Sequence, residues 1–152
     1  MERLILAHDL GTSANKATLF SEDGRLIASA SHPYPSDFRS GGVAEQDPED
    51  WWKAVCVSTR KLLAEHDGAG IAAIAFSGTM MGCLCVDRRG RPLRPHLLYC
   101  DQRANRQAER LEERATPEKG YRISGHPVKA VNSGPNNLWV EEQRLLYTSD
   151  GG

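Results

Sequence analysis

The stretch that decides the fold lies near the start of the chain and reads Leu4-Ile5-Leu6-Ala7-His8-Asp9-Leu10-Gly11-Thr12-Ser13-Ala14-Asn15-Lys16-Ala17-Thr18-Leu19-Phe20. Two short apolar runs, 4–7 and 17–20, are typical of buried strands. Glycine and small polar residues separate them, and Gly11 can adopt the positive φ that a tight turn needs. The pattern therefore predicts a strand, a turn and a second strand.

The polar residues of this turn predict a phosphate-binding site. Turn N–H groups, together with the hydroxyls of Thr12 and Ser13, can surround phosphate oxygens. Asp9 ends the first strand, and a carboxylate is repelled by phosphate unless a cation lies between them, so Asp9 predicts Mg²⁺. Lys16 is either a further phosphate donor or, by alternation along the strand, a solvent-facing side chain. An ordinary hairpin with polar turn residues is the alternative interpretation.

Length and charge exclude several classes of protein. The chain has 152 residues, enough for one domain with a hydrophobic core. Its net charge of −1 gives no electrostatic basis for binding nucleic acid or an acidic membrane. No apolar run approaches the roughly 18–20 residues of a membrane span. We also find no pattern of a secretion signal at the N-terminus, and we expect neither a nucleic acid nor a membrane as partner.

The cysteine pattern favours free thiols. No pair has the C-x-x-C spacing of a zinc or redox site, and most of the cysteines lie in apolar contexts. Reduced thiols favour a cytoplasmic location. The four residues are Cys56, Cys83, Cys85 and Cys100.

The first half of the chain predicts a meander followed by a helix. Residues 26–31 form a third strand, with Leu26, Ala28 and Ala30 on one side, which completes an antiparallel meander. Residues 32–42 are rich in Pro, Ser and Gly and predict a surface loop that continues to residue 47. A helix over 48–65 follows. Its predicted buried face consists of Trp52, Val55, Thr59, Leu62 and Leu63.

The second half predicts alternating strands and helices. The apolar run 71–76 indicates a central strand buried on both faces. Two more strands, 83–86 and 97–100, flank a hairpin turn at 87–92. Asp101 has the character of an N-cap for a helix over 102–115, with Ala104, Ala108 and Leu111 inward. Residues 120–131 give the weakest pattern, with a short helix end and a loop over 122–127. A helix over 136–147 follows, and 148–152 form a polar tail that we expect to fray.

Three loops, 9–13, 77–82 and 99–103, leave the ends of neighbouring predicted strands. Ligands bind beyond the carboxyl ends of parallel strands in open sheets. We therefore expect one cleft with a phosphate end and a polar end suited to hydroxyl groups. Each residue also has a purely structural interpretation as a helix cap, a solvated cation or a core filler. The residues of the cleft are Asp9, Met80, Met81, Asp101 and Arg103.

Four stretches carry a resemblance to a known family. In this order and spacing they resemble the N-terminal half of the FGGY family of carbohydrate kinases, most closely its xylulokinase-like branch. The resemblance covers roughly residues 3–140. The stretches are Asp9-Leu10-Gly11-Thr12-Ser13, Glu45-Gln46-Asp47-Pro48-Glu49-Asp50-Trp51-Trp52, Ile74-Ala75-Phe76-Ser77-Gly78-Thr79-Met80-Met81-Gly82 and Leu98-Tyr99-Cys100-Asp101-Gln102-Arg103.

The resemblance implies an actin-like, ribonuclease-H-like α/β fold, with a mixed sheet and flanking helices over residues 1–147 and a frayed tail over 148–152. Such kinases transfer the γ-phosphate of ATP to a hydroxyl of a sugar or polyol with Mg²⁺, and a xylulose-like substrate is implied here. Asp9 then serves the metal, and Gly11 with its two following residues forms the phosphate turn. The Met80-Met81 pair contacts the substrate, while Asp101 and Arg103 lie near the sugar.

Three departures from the family pattern bear on activity. Met81 stands where xylulokinases have a histidine, and Asn136 stands where the family has a lysine. By the resemblance, the catalytic base and a second ATP-binding domain lie beyond Gly152, so we expect no catalytic base in this chain. It is then a truncated part of a kinase, or a non-catalytic remnant that binds only a ligand or a partner. Apolar surface left by the missing domain predicts self-association.

Overall fold

The computed structural model describes residues 3–114 and 116–143. They belong to two compact units. Unit 1 lies within Met1–Ser36 and Pro48–Thr79, and unit 2 lies within Asp37–Asp47 and Met80–Gly152. The chain therefore leaves unit 1 after the meander, returns to it for one α-helix and one strand, and then leaves it again.

Unit 1 is a four-stranded sheet with one helix. The strand order is β3-β2-β1-β6, in which β1, β2 and β3 are antiparallel and β6 is parallel to β1. This confirms the predicted meander. The helix α1 packs against β2 and β3. Its elements are β1 (Leu4–Leu10), β2 (Ala14–Ser21), β3 (Leu26–Pro33), α1 (Pro48–Leu63) and β6 (Ile71–Gly78).

The core of unit 1 lies between the sheet and α1. Leu6, Ala17, Leu19 and Leu62 form a buried cluster. Leu26, Ala28 and Ala30 were predicted on one side of β3, but only the two alanines pack against this cluster. Leu26 is exposed, because the register shifts between Leu19 and the next residue of β2. That bulge brings the following isoleucine of β3 against the core instead.

The predicted buried face of α1 is partly wrong. Trp52 and Leu63 are exposed, whereas Ala54 and Ser58 are fully buried. Small side chains let a helix approach a sheet closely, so α1 turns its alanine and serine face inward. The helix also ends at Leu63, two residues before the predicted end.

The prediction of a central strand at 71–76 is also wrong. β6 lies at the edge of the sheet, and no strand within 3–114 and 116–143 pairs with its outer side. Ile74 is 59% exposed and Phe76 is 58% exposed. Hydrophobicity alone does not specify what covers a strand, and here α1 covers β2 and β3 instead.

Unit 2 contains a small antiparallel sheet with strand order β4-β5-β7, and three helices. Its first two strands correct the predicted surface loop over 32–47, and β5 is almost entirely buried. The elements are β4 (Asp37–Arg39), β5 (Val43–Gln46), β7 (His96–Leu97), α2 (Asn105–Arg114), α3 (Pro117–Ser124) and α4 (Ser133–Glu142).

Several predicted boundaries in unit 2 need correction. Residues 83–86 form two isolated bridges, Cys83 to Leu97 and Val86 to Pro92, instead of a strand. The strand predicted over 97–100 is the two-residue β7. α2 begins at Asn105, so Asp101 does not cap it directly. Only the end of α3 was predicted, as the short helix end within 122–127, and α4 begins three residues early.

Some predictions fall outside the described residues, namely the helix end at Ala115, the helix over 144–147 and the tail over 148–152. The four cysteines are free thiols, as predicted. Within 3–114 and 116–143 we find no helix with the length and hydrophobicity needed to cross a membrane.

Candidate functional site

Asp9 lies at the end of β1, where the chain enters the 11–13 turn, and its side chain is exposed. It pairs with Lys16 on β2 and with Ser77 on β6. Directly paired residues lie on the same face of a sheet. Lys16 is also exposed, so a cation and a carboxylate share one face beside the turn. Within the described ranges, the Asp9 side chain makes no hydrogen bond or ion pair with another residue.

The turn between β1 and β2 is fixed through its carbonyl oxygens. Gly11 N–H donates to Ala14 O at 3.1 Å, which closes the turn. Tyr34 Oη donates to the carbonyl of Gly11, and Tyr34 N–H donates to Ser13 O at 3.1 Å. Because Tyr34 donates both of the last two hydrogen bonds, the turn is anchored to the residue that follows β3. The structure thus brings together the predicted phosphate residues Gly11, Thr12 and Ser13 with Asp9.

The pKa of Tyr34 depends on the charge near this turn. Burial raises the pKa of the Tyr34 hydroxyl, and the nearby Asp9 carboxylate raises it further. The Tyr34 hydroxyl therefore stays protonated and remains a hydrogen-bond donor to Gly11. The aromatic ring supports the turn without neutralising the Asp9 carboxylate.

In unit 2, Asp101 is fully buried and holds Arg103. Its Oδ2 accepts a hydrogen bond from Ala44 N–H at 2.9 Å, which ties it to β5. It also binds the Arg103 guanidinium, with Nη2 to Oδ2 at 2.8 Å and Nε to Oδ1 at 3.1 Å. Burial lowers the pKa of Arg103, but the hydrogen bonds to Asp101 and Glu45 outweigh this effect and raise it. The predicted pair is therefore brought together, with its charges compensated.

Glu45 is the centre of this charged cluster and was not predicted as a site residue. It lies on β5, and its side chain is 7% exposed. Its Oε1 accepts hydrogen bonds from Arg94 and from Arg103 Nη2, the latter at 2.6 Å. Its Oε2 accepts one from Arg39 Nη2 at 2.8 Å. Three guanidinium groups thus converge on one buried carboxylate.

Trp139 on α4 completes the cluster. The guanidinium carbon of Arg103 lies 4.6 Å from the centroid of its ring, and that of Arg94 lies 5.0 Å from it. Such cation–π contacts are strengthened by desolvation. The sequence offered one signal for these residues, since Glu45 and Arg103 both lie in stretches of the family resemblance. The sequence did not show that Glu45 and Trp139 contact the same arginine.

Met80 and Met81 precede the first bridge of unit 2, and both are exposed. Met81 has φ 60°, and within the described residues it is the non-glycine residue with positive φ. Met81 also lines a cavity of about 280 Å³ together with residues of α2, the α3–α4 connection and the start of α4.

The predicted site residues divide between the units. Asp9, Lys16 and the 11–13 turn belong to unit 1, and the methionine pair with Asp101 and Arg103 belongs to unit 2. The single cleft remains a prediction. Among the described residues, no three His, Cys, Asp or Glu side chains cluster as ligands of a metal ion.

Comparison with known proteins agrees with this architecture. The sequence matches the N-terminal domain of the FGGY family of carbohydrate kinases over residues 4–145. It is 29% identical to a gluconokinase of Bacillus subtilis (strain 168) over 149 residues, which are 98% of this chain and 29% of that protein. It is 27% identical to a xylulose kinase of Staphylococcus xylosus over 137 residues, 90% of this chain and 28% of that one.

Solved structures give the same result. The fold is similar to that of a gluconate kinase from Lactobacillus acidophilus, with a TM-score of 0.87 at 26% sequence identity, covering 96% of this chain and 30% of that one. The chain thus spans less than a third of the length of these relatives. With its mixed sheet and flanking helices in the actin-like arrangement, the chain belongs to the FGGY family of carbohydrate kinases.

Proposed function

We propose that this chain contributes the phosphate-binding and acceptor-binding part of an ATP-dependent kinase that phosphorylates a hydroxyl group of a sugar or polyol. The observation that carries this function is the exposed Asp9 carboxylate at the 11–13 turn, in a chain that matches a carbohydrate-kinase domain over residues 4–145. Relatives named xylulose kinase and gluconokinase support a small sugar or sugar acid as the acceptor.

Asp9 fits a hard divalent cation such as Mg²⁺. Its oxygens are exposed and, within the described ranges, are not engaged by another side chain. Carboxylate oxygen is a ligand that Mg²⁺ prefers, usually alongside substrate phosphates and water. When bound, Mg²⁺ and ATP would supply the phosphoryl group and the neutralising charge of a phosphoryl transfer.

The chain's own residues would then bind and orient the nucleotide. Asp9 would hold the metal, while the hydroxyls of Thr12 and Ser13 and the ammonium of Lys16 would donate to phosphate oxygens. The exposed position of Lys16 on the face of Asp9 supports its role as a donor. We assign none of the described residues as the base that removes the proton from the acceptor hydroxyl.

We place acceptor binding in unit 2, at Met80, Met81 and Arg103. Met80 and Met81 are exposed and offer apolar contact to a carbon skeleton. Asp101 positions Arg103 through its hydrogen bonds. We further propose a cytoplasmic location, which the free thiols support. The exposed Ile74 and Phe76 of β6 support the proposal that this edge packs on a further domain or on a second copy.

The test measures nucleotide binding and turnover with the 152-residue chain. We expect calorimetric titration to show Mg²⁺-dependent binding of ADP, weakened about tenfold or more by Asp9→Asn. Glu22→Gln is the matched control, because Glu22 is an exposed carboxylate whose ion pair is with Arg3. Unchanged binding in Asp9→Asn would contradict the role of Asp9. ATP consumption is then assayed against pentoses, ketoses, polyols and sugar acids. Binding without turnover would favour a ligand-binding function.

A further inference from the structure

Two thiols of unit 2 lie against each other in the segment that precedes β7. Cys83 Sγ is 4.0 Å from Cys85 Sγ. Residues two positions apart in an extended chain have their side chains on the same face. The burial of this segment agrees, since Leu84 and Val86 are exposed whereas Cys83 is buried. Both cysteines are free thiols, so each sulfur still carries the hydrogen that a disulfide bond would replace.

The hydrogen bonds distinguish the two thiols. Cys83 Sγ donates to Asn137 Oδ1 on α4 at 3.3 Å. A thiol has one hydrogen, so the hydrogen between the two sulfurs belongs to Cys85 and points at Cys83 Sγ. Cys85 is half-buried, whereas Cys83 is only 7% exposed. A reagent in solution therefore meets Cys85 first, with Cys83 directly behind it.

The surroundings of Cys83 suit it to a second step rather than a first. Burial, together with the neighbouring Cys85, raises the pKa of the Cys83 thiol to about 11, although the nearby Arg94 guanidinium opposes this shift. The thiolate is the nucleophile in disulfide exchange, so Cys83 reacts poorly with reagents in solution at neutral pH. It can still attack a sulfur atom that is held beside it, because proximity greatly favours an intramolecular reaction.

The backbone gives Cys85 more freedom than Cys83. A disulfide bond is about 2.0 Å long, so the sulfurs must approach each other by about 2 Å. Cys83 N–H donates to Leu97 O at 3.0 Å, and its carbonyl accepts from Leu97 N–H at 2.9 Å. Among the described residues, the backbone of Cys85 is tied through its carbonyl, which accepts from Leu93 N–H at 2.9 Å. Cys85 is therefore the residue that moves.

The thiol pair is packed under α4. Cys83 belongs to a buried cluster with Leu97 and Val140, and both Cys85 and Trp139 pack against this cluster. Formation of a disulfide removes the hydrogen that Cys83 donates to Asn137 and shifts one sulfur within the packed cluster. The oxidation state of the pair is thus coupled to the contacts that hold α4.

From these observations we propose that Cys83 and Cys85 form a redox-sensitive pair, which a small disulfide oxidises to an intramolecular disulfide that weakens the docking of α4. The Cys85 sulfur attacks one sulfur of the small disulfide and forms a mixed disulfide, and the first small thiol leaves with the Cys85 proton. Cys83 then attacks the Cys85 sulfur, and the second small thiol leaves with the Cys83 proton. Two protein thiols are oxidised to one disulfide, while the small disulfide is reduced to two thiols. This chemistry involves unit 2 alone and does not depend on the proposed kinase function.

The experiment treats the folded 152-residue chain with oxidised glutathione at neutral pH. The reaction is quenched with acid, the remaining thiols are alkylated in denaturant, and the intact chain and its peptides are weighed by mass spectrometry. We expect the thiols of Cys83 and Cys85 to be lost together, without retained glutathione, and to return on reduction. Glutathione retained on Cys85 while Cys83 stays free, or disulfides that join two chains instead, would overturn the proposal.

Cys83→Ser isolates the first step of the reaction. Serine cannot attack the mixed disulfide, so we expect about tenfold or more glutathione on Cys85 than the native chain retains. Cys56→Ser is the matched control, because Cys56 is a half-buried thiol of α1 in unit 1. It should leave the oxidation of the pair unchanged. Equal glutathione on the native chain and on Cys83→Ser would overturn the proposal.

Hydrogen exchange tests the link to α4. In the oxidised native chain we expect the amides of α4 to exchange about threefold or more faster than in the reduced chain, because a hydrogen bond and packing contacts are lost. The amides of β1 and α1 in unit 1 should not change. Asn137→Ala removes the acceptor of Cys83 and should raise exchange in α4 without oxidation. Unchanged exchange in α4 after the disulfide has formed would overturn its link to this helix.

Discussion

Units 1 and 2 bury polar groups in different ways. In unit 1 the buried polar groups are neutral: Asn15 Nδ2 donates to Ser58 Oγ at 2.7 Å and lies 3.1 Å from His8 Nδ1. In unit 2 they include two carboxylates, Glu45 and Asp101, which bind arginines. Neutral groups are inexpensive to desolvate and contribute modestly, whereas charged groups are costly to bury and costly to leave unpaired. The stability of unit 2 therefore depends on a few residues much more than the stability of unit 1 does.

The largest expected effect comes from breaking the charged cluster. Glu45→Ala removes the carboxylate that binds Arg39, Arg94 and Arg103, and leaves the mostly buried Arg94 and Arg103 without it. Removing one partner of a buried ion pair costs about 3–5 kcal/mol. We expect that loss in the free energy of unfolding, measured with urea. Hydrogen exchange should rise first in β5.

The matched control for this variant is Glu22→Ala in unit 1. Glu22 is exposed, and its contact with Arg3 is 3.8 Å long. Exposed ion pairs contribute little, because water and salt screen them. An equal loss of stability in the two variants would contradict the contrast between the units.

The same contrast explains which parts of the fold could be predicted. In unit 1, local patterns identified β1, β2 and α1, because hydrophobic periodicity there coincides with burial in the core. In unit 2, β5 was read as loop, since its buried residues include Glu45 and Gln46. Burial of such side chains depends on partners distant in sequence, and no local pattern carries that information.

The same limit applies to the candidate site: residues close in sequence could be predicted to lie together, and contacts between distant residues could not. The turn residues and Asp9 lie within five positions of one another, and the structure keeps them together at the end of β1. Glu45 and Trp139 could not be connected with Arg103 from the sequence, because the contacts span 58 and 36 positions.

A medium effect is expected in the neutral network of unit 1. Ser58→Ala removes the acceptor for Asn15 Nδ2, and Asn15 Oδ1 already lacks a partner within the described residues. Leaving a buried donor unsatisfied costs about 1–3 kcal/mol. We expect that loss in urea unfolding. Ser29→Ala, at an exposed position on β3, is the control and should change stability by less than about 0.5 kcal/mol.

A double variant sharpens this result. Replacing both partners, as Asn15→Leu with Ser58→Ala, removes the donor together with its acceptor. We expect stability closer to that of the native chain than in Ser58→Ala alone, since two apolar groups of similar shape can be nearly neutral. If the double variant loses the sum of the two single effects, the network does not behave as a coupled neutral pair.

The smallest effect is a pH dependence of unit 1 that His8 introduces. Burial lowers the pKa of His8 below the ordinary value of 6.5, and the hydrogen bond from Asn15 offsets this only in part. The folded state therefore binds this proton less readily than the unfolded state. Stability is complete above about pH 6.5, falls as the pH drops below the unfolded value, and levels off below the folded pKa.

Stacking on Phe76, with ring centroids 5.0 Å apart, and the contact of Nε2 with Thr59 Oγ1 at 3.4 Å hold the His8 ring in this environment. His8→Gln removes the titrating group, so the slope of unfolding free energy against pH just below pH 6.5 should be shallower. His96 in unit 2 also has a pKa lowered by burial, so part of the slope should persist. Hydrogen exchange separates the contributions of His8 and His96 to the pH dependence. In His8→Gln the pH dependence of exchange should become weaker only at amides of β1, β2 and α1. An unchanged slope there would mean that protonating His8 does not oppose folding of this unit.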